Sequence, residues 1–280
     1  HWGAPMMGAE GAAWSTLFAR VLMFVALAVV TWIREPAFKK ALRDLGPKAA
    51  RIEPKLLLEL LGLGLPAGLH FLFEVGAFSL ASTLAARLGK EAMGAHHAVL
   101  QIASFTFMFP LGVSVAASVR VGNAVGAGHV ERAKRLGWTG IALGAGIMAV
   151  SAVVLLAAGH TIVGWFSPDE AVRTLGSKVL LVAAFFQIFD GIQVAGAGAL
   201  RGWGDTRTPM VANALGHYPI GLALALYLCF TRHMGIFGLW IGLATGLAAV
   251  AFMCTWKWAR ATTPEAHASS VSEAGASATQ

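Results

Sequence analysis

The chain has 280 residues, 57% of them hydrophobic and 12% charged, with a mean hydropathy of +0.68 and a formal net charge of +7. A soluble globular domain carries about 25% charged residues, so this composition excludes an ordinary soluble enzyme and points to a lipid bilayer. The two cysteines, Cys229 and Cys254, give no disulfide framework or metal-ligand spacing. The positive charge is spread over short loops, with no basic domain for nucleic acid.

A hydrocarbon core about 30 Å thick takes roughly 20 apolar residues per helical crossing. By that ruler seven spans are predicted, at 12–33, 56–86, 93–119, 137–166, 174–200, 209–230 and 235–258. Period-2 alternation is absent, so the spans are helices rather than barrel strands. The fold class is all-α, a polytopic membrane protein with seven transmembrane helices.

In chain order, four spans each carry a polar stripe, because residues three or four apart share a helical face. In 56–86, His70 and Glu74 lie one turn apart, with Pro66 a turn earlier. In 93–119 the stripe is His97 and Gln101, while His96, near the helix start, is expected at the membrane interface. In 174–200, Gln187, Asp190 and Gln193 recur every three residues, followed by the small Ala197; in 209–230 the stripe is Asn213 and His217. Spans 137–166 and 235–258 show almost nothing comparable. Lone amides and histidines commonly serve as glue between helices, contributing about 0.6 kcal/mol per contact. Carboxylates are different. An ionised aspartate at the bilayer centre costs on the order of 2.5–3.5 kcal/mol even on a lenient scale, and no glue requires it. A buried carboxyl can hold a proton and exchange it for a cation, so Glu74 and Asp190 together mark a site.

The loops set the orientation. Arg34, Lys39, Lys40, Arg43, Lys48, Arg51 and Lys55 fall in the 34–55 connection, and alternate connections add Arg120, Arg132, Lys134, Arg135, Arg201, Arg207, Lys257 and Arg260. The opposite side holds only Arg87, Lys90, Arg173, Lys178 and Arg232. By the positive-inside rule the first set is cytoplasmic, so the seven spans run from outside to inside. The tail "ATTPEAHASSVSEAGASATQ" (261–280), rich in Ala, Ser and Thr, is expected to be a disordered cytoplasmic end.

An internal echo bears on the domain plan. The first span opens "MGAEGAAW" (7–14) and closes "TW" (31–32); the last opens "MGIFGLW" (234–240) and closes "TW" (255–256). Transporters are commonly built from repeats around a shared site. The expected organisation is therefore the last helix of a truncated first lobe (1–33), a cytoplasmic inter-lobe linker (34–55), a complete six-helix lobe (56–258) and a tail (259–280). The chain is expected to be a fragment whose partner lobe belongs to the same polypeptide.

Two cytoplasmic segments, "VRVGNAVGAG" (119–128) and "LRGWGDTRTPMVAN" (200–213), go beyond composition. With "GLPAGLHFLFEVGAFSLA" (64–81) and "FDGIQVAGAGALRG" (189–202), they closely resemble the NorM-like branch of the multidrug and toxic compound extrusion (MATE) family. The resemblance implies a twelve-helix antiporter in two six-helix lobes, exporting cationic, amphipathic drugs in exchange for Na⁺ or H⁺, from the cell (inner) membrane with cytoplasmic ends. It places cation-coupling acids at Glu74 and Asp190, where Na⁺ could bind. Around them the cavity-lining candidates are His70, His97, Gln101, Phe186, Gln187, Gln193, Asn213 and His217. Some relatives carry tyrosine where this chain has Phe186. No cofactor is expected beyond the coupling ion, and the protein is expected not to be an enzyme. A flippase of lipid-linked sugars would be expected to show cationic residues facing its cavity, whereas the charged residues on the polar stripes of these spans, Glu74 and Asp190, are acidic. A seven-helix receptor or retinal protein fits the topology, but a retinal protein needs a lysine in its last helix and 235–256 contains none.

Overall fold

A computed structural model describes residues 8–34 and 54–261. All seven expected spans are helices long and apolar enough to cross a membrane. They are α1 (Gly8–Arg34), α2 (Pro54–Arg87), α3 (Lys90–Gly126), α4 (Val130–Gly164), α5 (Glu170–Trp203), α6 (Arg207–Thr231) and α7 (Ile236–Ala261). The expected linker and tail lie almost wholly outside the described residues.

The chain divides into two compact units, residues 1–59 and 60–280. In the first, α1 is 27 residues long, about 40 Å at 1.5 Å per residue. Its large apolar side chains, from Trp14 to Ile33, are exposed, as a lipid-facing helix requires.

In the second unit α5 is the axis, packed against α3, α4 and α7. Its sequence explains why. Methyl groups added at Gly198 and Gly202 would strike the carbonyls of Ser114 and Ser118 on α3, and one at Gly191 would strike the backbone of Gly144 on α4. Only hydrogen at these positions lets the backbones approach so closely. Two apolar clusters form around this axis. One gathers Val99, Leu155, Leu180, Phe186 and Trp240; the other gathers Val121, Ile141, Leu200, Val250 and Trp258. Along α5, Asp190 lies between the levels of the two.

The helices extend past the predicted spans and absorb residues read as loop. Arg120 lies inside α3 and Arg201 inside α5, and the α3–α4 connection is a turn of three residues, 127–129. The "GDTRTP" segment is a tight corner. Gly204 ends α5 with φ 94°, a left-handed conformation that favours glycine. Asp205 then receives the backbone N–H of Thr208 at 2.9 Å and its hydroxyl at 2.6 Å, which secures the start of α6. α6 widens into π turns in its middle, at Gly216–Leu222, which contains Pro219, and again at its end, Tyr227–Thr231. A proline cannot donate to the helical ladder, and a π turn rearranges the freed carbonyls.

Candidate functional site

The site is built where α2, α5 and α6 meet. On α2, Pro66, His70 and Glu74 all face inward, with His70 1% and Glu74 7% exposed. The ring Nε2 of His70 lies 3.6 Å from Oε2 of Glu74. From α5, Gln193 donates its side-chain amide to Oε1 of Glu74 at 3.2 Å, which ties the two helices together. Asp190, one turn earlier, is 4% exposed, and Gln187 is fully buried. From α6, the Asn213 amide nitrogen donates to the Pro209 carbonyl at 3.1 Å and lies 2.8 Å from Nδ1 of His70. His217, also buried, has its ring 6.1 Å from that of Phe78.

Beside this polar group is a cavity of about 320 Å³ between α2, α3 and α5. Glu74 and Asp190 both line it, with Phe71, Phe78, Phe107, Met108 and Phe186 forming most of its apolar wall. Phe186 meets Phe78 edge-on at 6.0 Å and Trp240 at 5.7 Å, so an aromatic belt borders the acids. Among the described residues neither carboxylate is ion-paired with a lysine or arginine. Several buried oxygens there have no hydrogen-bond donor among the described residues: Oε2 of Glu74, Oε1 of Gln187, Oε1 of Gln193 and Oδ1 of Asn213. Oxygen atoms of this kind are what a hard cation takes as ligands, so the residues present suit Na⁺ as well as a proton.

The structure thus gathers His70, Glu74, Phe186, Gln187, Asp190, Gln193, Asn213 and His217 in the interior of one unit. It does not bring His97 and Gln101 to them. Both are exposed, because α3 turns His96, Val99, Ile102 and Ala103 inward instead. His96, expected at the membrane interface, packs inside the protein. It is wholly buried, its Nε2 3.0 Å from the Ser82 hydroxyl and its ring 5.8 Å from Trp240.

Sequence reasoning missed Arg201, counted there only as a cytoplasmic charge. Its guanidinium donates to the Ser114 hydroxyl at 2.9 Å and lies 5.8 Å from the Phe71 ring. Ser114 in turn donates to the Val194 carbonyl at 2.6 Å. The signal was available, since Gln193, Ala197 and Arg201 follow one another at four-residue spacing on one helical face.

Residues 66–227 match the model of the MatE family. This chain belongs to the MatE family. Among its relatives, the probable multidrug resistance protein NorM of Brucella suis biovar 1 (strain 1330) is 39% identical over 265 residues, covering 93% of this chain and 56% of the relative. The multidrug resistance protein NorM of Burkholderia vietnamiensis is 40% identical over 215 residues, covering 75% of this chain and 46% of the relative. The chain therefore spans about half the length of the relatives it matches. A MATE protein solved in the straight conformation superposes with a TM-score of 0.78 at 17% identity, over 90% of this chain and 56% of the other. The Vibrio cholerae MATE transporter VcmN in its bent form gives 0.70 at 21% identity, over 74% and 47%. MatE proteins are transporters rather than enzymes, and this MatE chain is an integral membrane protein.

Proposed function

We propose that the chain supplies the second six-helix lobe, and the last helix of the first, of a secondary active multidrug exporter. In this reading the transporter exchanges cationic, amphipathic molecules for Na⁺ or H⁺ across the cell's inner membrane. Glu74 and Asp190 bind the coupling cation, the 34–55 connection joins the lobes, and the end of α7 lies in the cytoplasm. The observation that carries this reading is the pair of buried carboxylates on one aromatic cavity, neither of them in an ion pair with a lysine or arginine among the described residues. A buried charge without a fixed counter-ion is costly. A site whose charge is neutralised by an arriving ion, and restored when the ion leaves, couples that ion to a change of conformation. An acidic, aromatic cavity also favours organic cations through charge and cation–π contact.

The test is efflux of a fluorescent cation from proteoliposomes holding a two-lobe transporter with residues 54–261 as its second lobe, under an imposed Na⁺ or H⁺ gradient. Asp190→Asn removes the exchangeable charge while keeping size and hydrogen-bonding capacity. Ion-driven efflux is expected to fall to background with expression and melting temperature near normal. Wild-type rates from a well-folded Asp190→Asn protein would sink the proposal.

A further inference from the structure

Besides Asp190, α5 carries one more charged side chain turned toward its neighbours, the half-buried Arg201. Ionisable residues of membrane helices commonly pair with one another, and this one has only neutral hydrogen-bond and ring partners. Its guanidinium donates to the Ser114 hydroxyl at 2.9 Å and lies over the Phe71 ring, 5.8 Å from the centroid. Ser114 is itself fixed by its bond to the Val194 carbonyl. Arg201 and Glu74 are close enough for their charges to interact, without forming an ion pair among the described residues. A guanidinium does not give up its proton, so a fixed positive charge stands at this place.

The place is the end of the acid cavity. The lining runs from Ser82 to Phe71 on α2, from Leu100 to Met108 on α3 and from Phe186 to Asp190 on α5. Helices α2 and α3 are joined by residues 88–89 and run in opposite directions, so Phe71 and Met108 lie at the same end. Beyond Met108 comes Ser114, and the Arg201 backbone lies about 16 Å beyond Asp190 at 1.5 Å per residue. Its side chain turns back to the serine that Gly198 packs against. Phe71 thus lines the cavity, and Arg201, which does not, lies over its ring. We propose that Phe71 and Arg201 form the floor of the cation site, a barrier that stops an ion at Glu74 and Asp190 from passing on through the lobe toward the α5–α6 corner. The proposal rests on the reading that these acids bind the coupling cation. Exchange requires such a floor, because an ion that crosses without a drug dissipates the gradient. An apolar constriction and a fixed positive charge are the two devices by which pores exclude cations.

The experiment uses the 280-residue chain in liposomes, with uptake of radioactive Na⁺ and of protons followed down an imposed gradient and no drug present. Wild type is expected to leak little more than protein-free liposomes. Arg201→Gln should raise the leak at least about tenfold, since one fixed charge a few ångströms away is worth more than a power of ten in rate. Arg201→Lys, which keeps a charge, should stay near wild type. Asp190→Asn combined with Arg201→Gln should abolish the leak, because the ions reach the floor by way of the acids. A leak in Arg201→Gln no larger than in wild type, an equal leak in Arg201→Lys, or one that survives Asp190→Asn overturns the proposal. Should Arg201→Gln fail to fold, Arg201→Met, neutral and able to pack on the Phe71 ring, makes the same comparison. Ion-driven dye efflux by the two-lobe transporter tests the coupling reading separately. If Asp190→Asn leaves that efflux unchanged, the coupling reading fails. If Asp190→Asn stops it while Arg201→Gln leaks no ions, only the barrier fails.

Discussion

Helices α2 and α5 have the same mean hydropathy over their apolar windows and each carries one buried carboxylate, yet 67% of the α5 window is buried against 11% for α2. Hydropathy therefore says that a helix enters the bilayer and nothing about what surrounds it there. The difference lies in small residues. The run from Ala195 to Ala199 alternates Ala and Gly, and α3 and α7 close directly on it. The first half of α2 is leucine-rich, and Leu56, Leu58, Leu60 and Leu65 are all exposed. In lipid, where apolar surface gains nothing by meeting other apolar surface, close backbone approach and polar contacts decide which helix becomes the axis.

The comparison is broken most completely if the two acids, one on the packed axis and one on the open helix, do not act as a unit. In the two-lobe transporter, Glu74→Gln is expected to abolish ion-driven efflux as Asp190→Asn does, a loss of at least about a hundredfold. The double variant should be no worse than the more damaging single one, because residues acting together are non-additive. Efflux losses that multiply would mean two independent sites.

The next effect is on stability. Gly198→Val should destabilise the chain by about 3 kcal/mol or more, since the added carbons strike the Ser114 backbone rather than a flexible side chain. Gly68→Val on α2, where an added carbon meets nothing within 4 Å, should stay within about 1 kcal/mol of wild type. Thermal unfolding in detergent measures both, and equal effects would remove the packing explanation of the contrast.

The smallest effect concerns how α2 is anchored. The Tyr218 hydroxyl donates to the Phe73 carbonyl at 3.2 Å, and a methyl on Gly76 would crowd that hydroxyl at 2.6 Å. Tyr218→Phe should cost about 0.5–1 kcal/mol, the net worth of a typical hydrogen bond. Gly76→Val should cost more, because it pushes the ring out of its notch. Chemical denaturation resolves the two, and a neutral Gly76→Val would show that α2 is not held there.

The number of spans, their approximate limits and the family were legible in the one-dimensional pattern. Bilayer thickness fixes how long an apolar run must be, and the glycine-bearing corners survive as local turn chemistry, as Gly204 and Asp205 illustrate. The inward faces of α2, α5 and α6 were legible too, because Glu74, Asp190 and Asn213 each recur with polar neighbours at helical spacing. Spacing gives a face, however, and not what the face meets. The stripe of His97 and Gln101 obeys the same periodicity and turns outward, while His96, one residue away, is wholly buried. Arg201 looked like a loop charge until α5 proved long enough to carry it back against Ser114 and Phe71. Which side chains meet Glu74 and His70 depends on how α2, α5 and α6 cross. Those crossings follow from contacts between residues more than a hundred positions apart, and so only the tertiary structure decides them.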